Sequence, residues 1–365
     1  MTLKQVQLYD AETGSFRAGS LSWENGRISD CCLSDEASDG EGDLILPGLI
    51  DVHTHGRGGY DFNDATADEL LEMKRLYAER GVTTVVPTLA SDTFDNMLLA
   101  IRRIREAGFC AVHVEGRYLS PNRRGAHAAA LIAPLNPEEV ADLRAAAGEM
   151  HLHLSAAYER DPDGAFLAAV KANGATAGLA HTDATYEEAM TAVSRGLRSF
   201  THLFNTMPAI HHRKGGAILA GLLSDAYTEI ICDGFHLAPE TVALVNKAKS
   251  PSRVVLITDS MAGTACPDGN YAIAGSPVIL RGGKAYTEEG AIAGSTLELL
   301  DGVKNYAAFC HLPFAEAVAA ATANPAAMLG LSDIGSLKTG YRADFIRLSP
   351  SLELKEVYVG GVRVK

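Results

Sequence analysis

From about residue 47 to about residue 339 the chain repeats one pattern, a short apolar run followed by a longer stretch with apolar residues at helical spacing. Such runs, separated by roughly ten to fifteen helical residues, are the signature of βα units in a parallel sheet. The first four are LIDVHTH ending at His55, TTVVPT ending at Thr88, CAVHVEG ending at Gly116 and HLHLSAA beginning at His151. The others are TAGLAHT ending at Thr182, SFTHLFN ending at Asn205, IICDGFH ending at His236 and VVLITDS ending at Ser260. Eight such units predict an α/β fold, a (β/α)8 TIM barrel over 47–339. Residues 1–46 and 340–365 instead alternate apolar and polar positions and are cut by turns such as Glu24-Asn25-Gly26. That pattern predicts short antiparallel strands, and hence a small β-sandwich domain formed from both chain ends.

Composition narrows the partners. The 365 residues carry 45 acidic against 32 basic side chains, a formal charge of -13. This opposes a broad phosphate-backbone or anionic-lipid surface, so neither nucleic acid nor membrane is expected. An anionic substrate would need a local basic cluster, and His211-His212-Arg213-Lys214 is the densest one. The six cysteines, Cys31, Cys32, Cys110, Cys232, Cys266 and Cys310, show no paired spacing and read as reduced thiols. The opening MTLKQVQLYD lacks a basic segment followed by an apolar one, which points to a cytoplasmic protein.

In a barrel of this kind the active site forms at the C-terminal strand ends, so position along the strand sorts the candidates. His53 and His55 close strand 1, Glu115 closes strand 3, His181 closes strand 5, His202 lies near the end of strand 6 and Asp259 closes strand 8. All six should meet at one mouth. Imidazole nitrogens and carboxylate oxygens suit a divalent ion, zinc first, with iron or cobalt in its place. With two ions, His53 and His55 would hold one, His181 and His202 the other, and Glu115 would bridge or serve the second. The pair His151-Leu152-His153 has the same His-x-His spacing but opens strand 4, which predicts a structural role. Strand 4 also lacks a lysine near its end that could bridge metals as a carbamate.

The run His113-Val114-Glu115-Gly116, then Gly125-Ala126-His127, Ala180-His181-Thr182, THLFNTM with HHRKGG, DGFH and TDSMAG resembles the N-acetylglucosamine-6-phosphate deacetylases of the amidohydrolase superfamily. PGLIDVHTHG, AGSTLELLDGVKN, TANPAAMLGL and IGSLKTGYRADF extend the similarity over most of the chain. The resemblance implies Glu115, His181 and His202 as metal ligands, Asp259 as catalytic acid and base, and His127 as the contact to the acetyl carbonyl. It further implies Asn205 and Thr206 as substrate-loop contacts, with His236, Arg213 and the adjoining His212 on the sugar and phosphate. Some members lack the strand-1 pair and use one metal, whereas His53 and His55 place this chain with the two-histidine kind. The implied partners are an amino sugar phosphate and a second copy of the chain in a homodimer.

There are departures from the family pattern. Arg117 stands where proline is usual, Thr206 where alanine is common, and Gly215 where the segment usually continues toward proline. Arg117 puts a charge two residues from a candidate ligand, either as a solvated loop residue or as an influence on anion preference. The expected reaction is metal-dependent removal of the N-acetyl group of N-acetylglucosamine 6-phosphate. The competing substrates are the galacto epimer and the 6-sulfate, and the competing roles are a cyclic-amide hydrolase and a non-catalytic sugar-phosphate-binding relative.

Overall fold

In the computed structural model, which describes residues 1–34 and 42–365, the eight apolar runs form one eight-stranded sheet ordered from the first strand to the last. Its strands are Leu49–Thr54, Val82–Leu89, Ala111–Val114, His151–Ala156, Thr176–Leu179, Ser199–Phe200, Tyr227–Ile231 and Val254–Ile257. Neighbours pair in parallel throughout. The sheet closes on itself through the bridge Thr54–Ser260, with the His55 N–H donating to Ser260 O at 2.7 Å and the Asp259 N–H to His53 O at 2.9 Å. Most strands stop before the run that predicted them, so Glu115, His181, His202 and Asp259 lie just beyond the strand ends.

Helices cover the barrel for reasons visible locally. Ala67–Ala78 starts at Thr66, whose hydroxyl accepts from the Glu69 N–H while the Glu69 carboxylate accepts from the Thr66 N–H. This reciprocal cap satisfies two of the free donors at a helix start. The same device, Thr185 with Glu188, opens Tyr186–Ser194. Leu70, Met73 and Tyr77 recur at helical spacing and are buried against the barrel.

The first strand carries an irregularity that the site depends on. Its register against the second strand slips between Asp51 and Thr54. Such a bulge re-aims the side chains that follow it. Asp51 accepts from the Thr258 hydroxyl at 2.6 Å and Thr54 bonds the Tyr77 hydroxyl of the covering helix, while His53 and His55 turn to the barrel mouth. Below them, Ile50, Val52, Val86, Ala111, Tyr227, Ile231, Val255 and Ile257 form one apolar cluster with Ala326, Met328 and Leu329.

The strands from the two chain ends bond as one continuous seven-stranded sheet, the small β domain expected from both ends. Leu44–Pro47 joins the two contributions, parallel to Thr2–Asp10 and antiparallel to Phe345–Leu348. Trp23 seals the join, edge-on to Phe345 at 5.0 Å and to Tyr358 at 5.3 Å, with its Nε1–H donating to Gly361 O. Residues 35–41 of the N-terminal segment lie outside the described residues. A third sheet was not foreseen: Gly269–Ile273, Ser276–Arg281 and Lys284–Thr287 form an antiparallel meander after the eighth strand.

Candidate active site

The mouth of the barrel brings together all six residues selected by strand position. Glu115 is the hub. Its Oε1 lies 2.6 Å from His202 Nε2 and 3.2 Å from His181 Nε2, while its Oε2 lies 3.2 Å from both His53 Nε2 and His55 Nε2. Asp259 Oδ1 is 3.1 Å from His55 Nε2 and 3.5 Å from His53 Nε2. Two groups of potential ligand atoms result, His53–His55–Asp259 and Glu115–His181–His202, each with its atoms within 4.8 Å of one another. His181, His202 and Asp259 have φ of 45°, 30° and 51°. Non-glycine residues in the left-handed region cost about 1–3 kcal/mol each and persist where the surroundings force them.

Whether this set fits a cation can be decided from its hydrogen bonds. His55 Nδ1 faces Thr88 O at 3.2 Å and His181 Nδ1 faces Arg123 O at 2.7 Å. A carbonyl only accepts, so each Nδ1 carries a proton, and in a neutral ring that leaves Nε2 as a bare lone pair. The lone pair of His55 faces two carboxylate oxygens, and that of His181 faces Glu115 Oε1 and, at 3.2 Å, His202 Nε2. Acceptors that converge on acceptors need positive charge between them. The residues fit a divalent ion, and the carbonyls hold the rings in the ligating tautomer. Without an ion the same field acts on protons. Burial opposes charge on the rings, yet Glu115 and Asp259 hold His53 well above the usual imidazole range and His55 at about 9. Conversely, burial pushes Asp259 up, but His53 and His55 pull it down to about 2.

His127 sits on the opposite wall in a different state. Its Nδ1 accepts from the Ser91 backbone N–H at 3.1 Å and lies 2.9 Å from the Ser91 hydroxyl, which itself accepts from the Arg117 N–H at 2.8 Å. The ring proton therefore sits on Nε2, the atom nearest the cluster, 4.0 Å from Glu115 Oε2. Burial, helped by His181, pushes its pKa down to about 3, so the ring stays neutral with one N–H aimed inward.

The cavity, about 270 Å³, is also lined by Asn205, Thr206 and His236. Asp233 Oδ2 lies 2.7 Å from His236 Nδ1 and orients that ring. His212 and Arg213 are not in the walls; they sit on an exposed turn closed by the His211–Lys214 bridge. No lysine or arginine lines this cavity among the described residues. Arg117 is half-buried and lies outside the cavity walls: its guanidinium lies over Phe94 at 5.2 Å and 3.5 Å from Glu139 Oε1. His151 and His153 stay below the mouth, both bonded to the Thr176 hydroxyl at 2.8 Å.

Four contributions escaped the sequence reading. Ser91 orients His127, and a small polar residue in a loop gives no signal. Asp233 lies inside the DGFH run, where its spacing of three to His236 was a usable clue. Glu229 Oε2 lies 3.3 Å from His53 Nδ1, and one acidic residue within the apolar run AYTEIIC was legible as an anomaly. The meander and the segment after it supply Ile273, Ala274, Ser276, Ala291 and Ile292 to the wall, with the Ala274 N–H donating to buried Asp61 Oδ2 at 2.8 Å.

A parallel barrel with histidines and carboxylates gathered at the strand ends defines a class, and the chain belongs to the Amidohydrolase family, which matches residues 44–364. The N-acetylglucosamine-6-phosphate deacetylase of Vibrio furnissii is 33% identical over 327 residues, 87% of this chain and 82% of the relative. A structure of N-acetyl-D-glucosamine-6-phosphate deacetylase from Mycobacterium smegmatis, a mutant in complex with N-acetyl-D-glucosamine-6-phosphate, superimposes with a TM-score of 0.93 at 30% identity, covering 100% of this chain and 99% of that one. Within the larger family, this chain is a member of the N-acetylglucosamine-6-phosphate deacetylase family. The N-acetylgalactosamine-6-phosphate deacetylase of Escherichia coli O157:H7 is also similar, 32% identical over 333 residues and covering 88% of both chains.

Proposed function

We propose that the chain hydrolyses the N-acetyl group of N-acetyl-D-glucosamine 6-phosphate to D-glucosamine 6-phosphate and acetate. The observation that carries this reading is the pairing, across one cavity, of a cluster of bare imidazole and carboxylate lone pairs with a neutral histidine donor. Amide hydrolysis needs the carbonyl polarised, a water deprotonated and the departing nitrogen protonated. Glu115, His181 and His202 would hold a divalent ion, zinc in this proposal, with a second position at His53, His55 and Asp259, and when bound it would supply Lewis-acid charge and lower the pKa of water from 15.7 to about 7.

The chain's own residues do the rest. Asp259, ionised and at the cavity wall, accepts a proton from the attacking water. The water oxygen bonds to the carbonyl carbon as the C=O electrons move onto oxygen, where the His127 Nε2–H donates to the growing charge. Asp259 returns its proton to the nitrogen as the oxyanion electrons re-form the C=O and the C–N bond breaks, and the remaining hydroxyl proton of the acid passes to the freed amine, leaving acetate and the ammonium form of the sugar. Asn205, Thr206 and His236, the last oriented by Asp233, border the sugar.

Among the described residues no lysine or arginine lines the cavity, so a cation for the phosphate is sought outside its walls. Arg213, with His212, supplies it from the exposed turn, across a homodimer in which one subunit's turn reaches the other's cavity. Arginine suits phosphate because its planar fork binds two oxygens. A substrate of this charge does not cross membranes freely, which supports a cytoplasmic enzyme. Among the described residues no helix is long and apolar enough to cross a membrane.

The test is acetate release from N-acetylglucosamine, its 6-phosphate, its 6-sulfate and N-acetylgalactosamine 6-phosphate, by wild type and Arg213→Ala. The gluco 6-phosphate should give the highest kcat/KM. Arg213→Ala should lower it at least roughly tenfold, a charge-assisted contact being worth about 1.5–3 kcal/mol, and leave the unphosphorylated sugar nearly unchanged. The galacto reading has its own support in the Escherichia coli relative, and a higher kcat/KM on the galacto 6-phosphate would replace the proposed substrate.

A further inference from the structure

Glu229 occupies the middle of the seventh barrel strand, Tyr227–Ile231. Residues two apart on a strand share a face, and Tyr227 and Ile231 both belong to the apolar cluster of the barrel. The Glu229 carboxyl is thus fully buried among apolar side chains. Its Oε2 lies 3.3 Å from His53 Nδ1, and its Oε1 has no hydrogen-bond partner among the described residues. A buried carboxylate with a single partner is costly, and an apolar residue of similar size would serve the core better.

The far side of the His53 ring shows what the carboxylate achieves. His53 Nε2 faces Glu115 Oε2 at 3.2 Å and Asp259 Oδ1 at 3.5 Å. A neutral imidazole has one ring proton to place. With the proton on Nε2, His53 would donate to these carboxylates, and the cluster would be satisfied without any cation. With the proton on Nδ1, donated to Glu229, Nε2 is a bare lone pair, as it is in His55, whose Nδ1 faces the Thr88 carbonyl. Where His55 has a carbonyl to fix its tautomer, His53 has Glu229. Three carboxyl groups, of Glu115, Asp259 and Glu229, thus surround the one His53 ring.

We infer that Glu229 is a positioning residue for a second cation: by holding the His53 proton on Nδ1 it leaves Nε2 free to ligate, and so makes His53, His55 and Asp259 an ion position separate from Glu115, His181 and His202. The inference rests on the metal reading of the site and is independent of which sugar is the substrate.

The test equilibrates the full chain against buffered free zinc and measures bound ions per chain, for wild type, Glu229→Gln, His53→Ala and the double variant. Wild type should hold two ions. Glu229→Gln should weaken one of them by about 10–100-fold, the usual effect of losing the group behind a ligating histidine, and leave the other in place. In the His53→Ala background the same change should cause no additional loss, because Glu229 then has no ring to orient. Two ions bound equally well by wild type and Glu229→Gln would overturn the role of Glu229 alone. Equal losses with and without His53 would reassign Glu229 to the fold and overturn the inference. A wild type that holds only one ion at any zinc level would overturn it together with the second ion position. Glu229→Met covers the case in which the glutamine variant fails to fold. Removing the buried charge should keep or raise the melting temperature in chelator while the second ion is lost, and the reverse outcome overturns the assignment.

Discussion

The barrel contains two His-x-His pairs, one at the top of the first strand and one at the bottom of the fourth, and they differ in every property except spacing. His53 and His55 are surrounded by the carboxylates of Glu115, Asp259 and Glu229. His151 and His153 find only hydroxyls, Thr176 for both and Ser199 for His153. The consequence is opposite proton affinity. Although burial disfavours charge at both ends, the carboxylates raise the upper pair, whereas burial pushes His151 down to about 4 and His153 to about 3. A motif two residues long is therefore a statement about one face of a strand. Its chemistry comes from the layer of the barrel in which that face lies.

The strongest test of this contrast is Asp259→Asn, which keeps the shape of the upper site but removes its proton carrier. Turnover should fall by about 10²–10⁴-fold while the ion at Glu115, His181 and His202 is retained, read by acetate release and metal analysis. Near wild-type turnover would remove Asp259 from the reaction. Next in size is the paired substitution. His53→Ala with His55→Ala should cost up to one bound ion per chain and leave measurable activity, while His151→Ala with His153→Ala should leave metal content unchanged. Loss of metal from the lower variant would break the comparison outright. The smallest effect is on stability against pH. The lower pair is neutral in the fold but protonates near 6.5 when unfolded, so below that pH the unfolded chain binds more protons. The stability the pair contributes is complete above about pH 6.5 and is lost as pH falls toward 4. Replacing both with asparagine should flatten the urea midpoint between pH 7 and pH 5 relative to wild type. An unchanged slope would mean that other groups set the acid limit.

Much of this arrangement was legible in the sequence because two periodicities were clear. Apolar runs marked the strands even where, as at Ser199–Phe200, only two residues pair. Strand polarity then separated His53 and His55 from His151 and His153 without any structure. The bulge in the first strand was not legible, since a register slip between Asp51 and Thr54 is decided by partners on other strands. Nor was the destination of the meander. Its alternation, YAIAGSPVILRGG, reads as strands, but the contact that anchors it, Asp61 to Ala274, joins residues 213 positions apart. The basic turn at 211–214 was found correctly as a cluster, yet its charge alone could not tell that it stands outside the cavity of its own chain.

The seam that closes the barrel sets a condition on when the protein becomes active. His53 and Asp259 meet there, locked by Asp259 N–H to His53 O and by Ser295 N–H to Asp259 O. The proposed catalytic group thus requires residues near both ends of the barrel. During synthesis, at roughly 5–20 residues per second, the histidines emerge some tens of seconds before the segment that completes the site. Until then the first strand has an unpaired edge and its histidines lack Asp259. A chain interrupted anywhere before Ser295 leaves this site unfinished, so activity reports a completed barrel rather than a partly folded one.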